Sequence, residues 1–211
     1  MQLLPDDVLL AVDVQRDFLP GGTLAVSGGD AVVPVINRLG LLFSHVLLTQ
    51  DWHPADHVSF AANHPGRAAF EAIELPYGRQ VLWPTHCLQG TDGAEFAPGL
   101  ELPRAELVIR KGFRRLVDSY SSFAEADRHT PTGLAGYLRE RGLRRLFLAG
   151  LATDFCVAWS ALDGRAAGFE IYVIEDGCRA IDTQGSLDMA WRAMHEAGVQ
   201  RLGSDALQPP G

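Results

Sequence analysis

Cysteine is scarce in this chain: Cys87, Cys156 and Cys178 are the only three. An odd, sparse set of this kind builds no disulfide framework and fits a reducing compartment. Basic residues are outnumbered, 18 Lys and Arg against 26 Asp and Glu, for a net charge of −8. There is no Lys/Arg run and no basic amphipathic helix, so nothing offers a nucleic-acid backbone the positive patch it needs. No apolar run approaches the roughly 18 residues of a membrane span. The opening MQLLPDDVLL carries two acids and no basic stretch, so a secretory leader is not expected. These absences point to a cytoplasmic protein that binds neither nucleic acid nor membrane.

What is present is a globular composition, 47% hydrophobic and 21% charged over 211 residues, expected to fold as one domain spanning 1–211. Short apolar runs alternate with helix-period segments, the pattern of βαβ units around a parallel sheet. Strands are expected at 8–15, 45–51, 106–112, 145–152 and 170–177, with a weaker sixth near 199–204. The first five are nearly continuous in apolar residues, as strands covered on both faces should be. Helices are expected at about 29–43, 131–142, 154–167 and 184–197, the second capped by Thr130 ahead of Pro131. Between 52 and 104 the periodicity fails, and six of the twelve prolines fall there. A long irregular segment inside a compact domain is usually functional or disordered, and VLWPTHC within it is too apolar for disorder. The fold class is therefore α/β.

The polar residues that need explaining cluster at strand ends. Asp13 closes the first apolar run, Asp51 the second and Lys111 the third, while Cys156 lies just past the fourth. Open α/β sheets bind ligands outside the carboxyl ends of their strands, so these four can converge. A carboxylate or ammonium buried there must find a partner. A structural Asp13–Lys111 pair satisfies that need; a third group between them makes a catalytic set. Cys156 is placed to be that group. LATDFCVAWS reads as a turn, a cap at Thr153 or Asp154, and a helix whose first turn holds the thiol, where the helix dipole and Lys111 favour thiolate. No histidine is evidently placed as base, which leaves that part to Asp13. Cys87 and Cys178 lack such a setting and read as buried small hydrophobes.

The stretch TQDWHPADHVSF sets Asp51, His53, Asp56 and His57 within seven positions. In extended chain Asp51 and His53 point to one side, and a turn at Pro54 brings His57 within reach. Oxygen and imidazole ligands without thiolate suit zinc, iron(II) or manganese in an open rather than a closed structural site. A polar loop whose acids serve the turn is the plainer alternative, and Asp56 is expected to have only that role. His86, in WPTHC, is a candidate ligand from a distant part of the chain.

In order along the chain, AVDVQRDFLPGGTLAV, TQDWHPADHVSF, LWPTHCLQGTDGAEF, IRKGF with DSYSSF, GLATDFCV and VIEDGCRAID together resemble the nicotinamidase/pyrazinamidase branch of the isochorismatase-like cysteine hydrolases. The resemblance implies a three-layer α/β/α fold with a mostly parallel six-stranded sheet. It implies Asp13, Lys111 and Cys156 as the catalytic triad, and Asp51, His53, His57 and His86 as ligands of one divalent metal, zinc first, with iron or manganese as alternatives. It implies a cis peptide before Ala152, with the amides of Ala152 and Cys156 forming an oxyanion hole, and Phe18, Trp83 and Tyr120 as substrate-binding walls. The implied reaction is hydrolysis of nicotinamide, or of pyrazinamide-type analogues, through a thioester, with the metal orienting the ring nitrogen, in NAD salvage. Another small-amide or carbamoyl hydrolase of the same superfamily, and an inactive metal-binding module, are the competing expectations. A homo-oligomer is left open.

Overall fold

The structure, a computed structural model, describes residues 1–211. Its strands are β1 (Val8–Val12), β2 (His45–Asp51), β3 (Ala72–Leu75), β4 (Gly78–Val81), β5 (Ala105–Lys111), β6 (Arg145–Leu151), β7 (Glu170–Arg179) and β8 (Gln200–Leu202). The helices are α1 (Val32–Gly40), α2 (Leu134–Glu140), α3 (Ala158–Ala166) and α4 (Ser186–Glu196). Six strands form one sheet in the order β5-β2-β1-β6-β7-β8, every pair parallel, while β3 and β4 form a separate antiparallel hairpin.

Alternation along the central strands feeds two cores, because successive side chains of a strand leave opposite faces. Leu9 and Ala11 of β1, with Phe147 and Ala149 of β6, pack beneath Val32, Ile36 and Leu39 of α1. Val8, Leu10 and Val12 of β1, with Leu146 and Leu148 of β6, pack beneath Leu134 of α2, Ala161 of α3 and Met194 of α4. The layers are thus α1, sheet, and α2–α4. Gly150 lets β6 pass close to β1: a Cβ there would sit 2.0 Å from the Val12 carbonyl oxygen, and its φ is +138°.

Four expectations change. β1 stops at Val12, not at residue 15, because Asp13 takes φ 47° and leaves the extended path. β5 is not covered on both faces; it is an edge strand that exposes Glu106, Val108 and Arg110 and turns Leu107, Ile109 and Lys111 inward. Thr130 does not cap α2, since its N–H and hydroxyl are bound to Asp127 and the helix starts after Gly133 at φ +101°. The segment 52–104 holds the β3–β4 hairpin, which its proline content obscures. No helix is long and apolar enough to cross a membrane.

Candidate active site

Parallel strands that share a register deliver their last residues to one place. Asp51 pairs directly with Lys111 across β2 and β5, and Asp13 leaves β1 beside them. Lys111 is the chain's only lysine and is fully buried. Its ammonium lies 2.8 Å from Asp13 Oδ2, donates to Asp51 Oδ1 and to the Ser119 carbonyl at 3.0 Å, and stands 3.4 Å from Cys156 Sγ. The second oxygen of Asp13 accepts from Thr49 Oγ1 at 2.6 Å. Sequence reasoning passed over Thr49, whose inward position at the end of an apolar strand was the available signal.

Two buried carboxylates around one ammonium fix the electrostatics. Burial pushes Asp13 up by more than Lys111 pulls it down. Burial also acts against Asp51, but Lys111 and His53 outweigh it and hold that carboxylate well below the usual range. Lys111 rises well above an ordinary amine despite burial, because Asp13 and Asp51 flank it. Burial raises the Cys156 thiol well above its ordinary value; Lys111 opposes this, while Asp13 and Asp51 reinforce it. Burial and the two carboxylates thus work against the thiolate that the helix start and Lys111 are expected to favour, which leaves the removal of the thiol proton to Asp13.

The expected helix start at Cys156 is also altered. Thr153–Val157 form a π turn ahead of α3, with no side-chain cap. Asp154 instead accepts from the N–H groups of Ile181 and Asp182 and from the Ser186 hydroxyl, tying that loop to the turn. The Leu151–Ala152 peptide is cis, and the Ala152 N–H has no acceptor in the protein.

Beside this set, Asp51, His53 and His86 offer donor atoms within 4.8 Å of one another. His53 Nδ1 donates to the Gly112 carbonyl and His86 Nδ1 to the Pro84 carbonyl, each at 2.8 Å. These bonds orient the rings and leave both Nε2 atoms turned to Asp51 Oδ2, at 3.5 and 3.8 Å. An imidazole held by a carbonyl on its far nitrogen is the usual outer support of a metal-ligating histidine. The donor set, with an anionic carboxylate and net negative surroundings, fits a divalent cation. His57 stands apart from these three. Its Nε2 donates to the Val117 carbonyl at 3.2 Å and its Nδ1 accepts from Ser59 Oγ at 2.7 Å, so both nitrogens are engaged. Burial and the neighbouring His53 push it down to about 4. It groups with His53 and Asp118 rather than with Asp51 and His86. Asp56 is exposed and faces Arg115.

A narrow cleft joins the two sets. Phe18, Trp83 and Tyr120 all line it, together with Asp51, His53, His86, Ala152 and Cys156. Leu24, Asp118, Phe155 and Ile181 complete the wall and were not foreseen. Trp83 meets Phe155 edge-on at 4.9 Å and donates its indole N–H to Tyr120 Oη at 2.8 Å. Gln15, also unforeseen, brackets Asp51: its amide donates to the Asp51 carbonyl and accepts the Asp51 N–H, both at 2.8 Å. Cys87 and Cys178 are buried and line no part of the cleft.

Comparison with known proteins agrees with this architecture. The chain is 59% identical over 196 residues to a nicotinamidase of Acinetobacter baylyi, covering 93% of this chain and 92% of that one. Among solved structures, PnC1 from L. infantum in complex with nicotinate superposes with a TM-score of 0.87 at 39% identity, covering 99% and 98% of the two chains. A pyrazinamidase of Pyrococcus horikoshii in complex with zinc superposes with a TM-score of 0.75 at 32% identity, covering 94% and 99%. The isochorismatase domain family matches residues 7–205, nearly the whole length, and this chain belongs to it.

Proposed function

We propose that this protein is a nicotinamidase, a cysteine amidohydrolase that converts nicotinamide to nicotinate and ammonia over a single catalytic domain. The observation that carries this is one contact set: Cys156 Sγ stands 3.4 Å from Lys111 Nζ, which lies 2.8 Å from Asp13, at the wall of an aromatic cleft. The high identity to a nicotinamidase supports the substrate.

Asp13 is the general base and acid. It takes the Sγ proton as sulfur bonds to the carboxamide carbon, and Lys111 stabilises the thiolate character that develops. The carbonyl oxygen becomes an oxyanion facing the N–H groups of Ala152 and Cys156, each such donor being worth roughly 3–4 kcal/mol where one was removed from a protease. Asp13 then protonates the departing nitrogen, the C–N bond breaks, and ammonia leaves behind a thioester. Water gives a proton to Asp13 as its oxygen adds to the thioester carbon. Collapse breaks the C–S bond, returns the proton to Cys156 and releases the acid, which ionises to nicotinate.

Phe18, Trp83 and Tyr120 are the walls that hold the ring. Asp51, His53 and His86 would hold a divalent metal, zinc foremost, which supplies a Lewis-acid anchor for the pyridine nitrogen. His57 supports His53 from outside that group. The setting would be NAD salvage in the cytoplasm. Cys156→Ala tests the chemistry: turnover of nicotinamide should disappear while metal content, measured on the same sample, stays at the wild-type value. Near-normal ammonia release by that variant would refute the covalent route.

A further inference from the structure

The β3–β4 hairpin lies outside the main sheet, yet it sends one buried amide, Gln80, into the back of the cleft wall. Gln80 Nε2 lies 2.7 Å from Asp118 Oδ2, 2.7 Å from the Val81 carbonyl and 3.1 Å from Tyr120 Oη. Its Oε1 accepts the Tyr77 hydroxyl at 3.0 Å. An amide nitrogen has two hydrogens, so the two shorter contacts take them and the Tyr120 contact is the weak third. Tyr120 Oη in turn accepts the Trp83 indole N–H at 2.8 Å. One side chain therefore backs the acidic wall at Asp118 and the aromatic walls at Tyr120 and Trp83. None of its hydrogen bonds reaches Asp13, Lys111 or Cys156.

Asp118 depends on this bond. Its Oδ1 accepts the Ser119 N–H at 2.9 Å, while Oδ2 has the Gln80 amide as its partner, and the residue is 2% exposed. A buried carboxylate oxygen stripped of its donor pays the full desolvation penalty, so the side chain must turn to find another partner. Any such turn moves the wall that Asp118 and Tyr120 share.

Resting on the nicotinamidase assignment above, we propose that Gln80 is a positioning residue for substrate binding, holding Asp118 and the Trp83–Tyr120 pair at the spacing that admits the flat pyridine carboxamide. Its effect belongs in KM rather than kcat, because it touches the walls and not the bond-making set. The full chain carrying Gln80→Leu should raise KM for nicotinamide about tenfold with kcat held within about twofold. In ligand-free protein its Trp83 indole N–H resonance should shift. Tyr77→Phe, which removes only the bond steadying the Gln80 carbonyl, should raise KM by a smaller factor of about three, and it carries the test if Gln80→Leu does not fold. An unchanged KM, a fall in kcat alone, or an unmoved Trp83 resonance would each overturn the positioning role. Wild-type protein that leaves nicotinamide intact would instead overturn the nicotinamidase assignment, and with it the ligand named for this wall.

Discussion

Gly112 is an exacting backbone position beside the histidines of the site, and Gly112→Ala is the perturbation that exposes it. The residue follows Lys111 at φ +66°, and a Cβ there would lie 2.3 Å from Cε1 and 2.6 Å from Nδ1 of His53. Restoring an ordinary 3.4 Å contact requires about 1.1 Å of movement, 3.4 minus 2.3, by a ring packed among Phe60, His57 and His86. That movement breaks the 2.8 Å bond from Nδ1 to the Gly112 carbonyl, the bond that orients the His53 ring. Losing such an outer support costs about 10–100-fold in metal affinity. The left-handed backbone adds about 1–2 kcal/mol of strain for an alanine, or about 2–8 °C in Tm at this chain length. Gly66→Ala separates the two effects. Gly66 has φ +80° with nothing within 4 Å of its Cβ position, so it carries the backbone cost alone. Chelator competition and calorimetry on both variants decide the matter. If Gly112→Ala kept wild-type metal affinity, or if Gly66→Ala lost as much, the argument from His53 would fail.

Lys111→Met leaves Asp13 and Asp51 buried without their cation, and a broken buried ion pair of this kind costs about 3–5 kcal/mol, readable as a lower urea midpoint alongside lost turnover. Dialysis against a chelator should sharply reduce nicotinamide hydrolysis, with recovery on adding zinc, iron(II) or manganese; full activity in metal-free protein would remove the ion from the site. Asp127→Ala should cost up to about 1 kcal/mol at neutral pH, because Asp127 caps the N–H groups of His129 and Thr130. Those bonds lower its carboxyl from 3.8 to about 2. The stabilisation is thus complete above 3.8 and fades as pH falls through about 2, so wild-type and variant melting curves should converge in acid and diverge above it.

The elements that were legible from sequence are those where one residue had to explain itself. Asp13, Asp51 and Lys111 end apolar strands, where a charge needs a partner, and parallel pairing then carries all three to one edge of the sheet. His86 was legible only through a motif, because its approach to Asp51 depends on a segment with no period. Asp118, Gln80 and Gln15 were missed for the same reason: each works through hydrogen bonds to backbone or side chains distant in sequence, and no local spacing encodes them. The electrostatics at Cys156 are not legible in sequence, because they are a balance among burial, one ammonium and two carboxylates that only the fold brings together. Thr130 does not cap because its hydroxyl donates to Asp127, three residues earlier, while Thr132 Oγ1 accepts the N–H of Leu134, the first residue of α2.

The solitary lysine has a consequence for labelling. With every other cation an arginine, the folded surface presents no side-chain amine to an acylating reagent; only the chain's amino terminus competes. Lys111 reacts only when the strand ends part. A mass shift of one acyl group at that residue would therefore count openings of the catalytic core, molecule by molecule, without a reporter having to be built in.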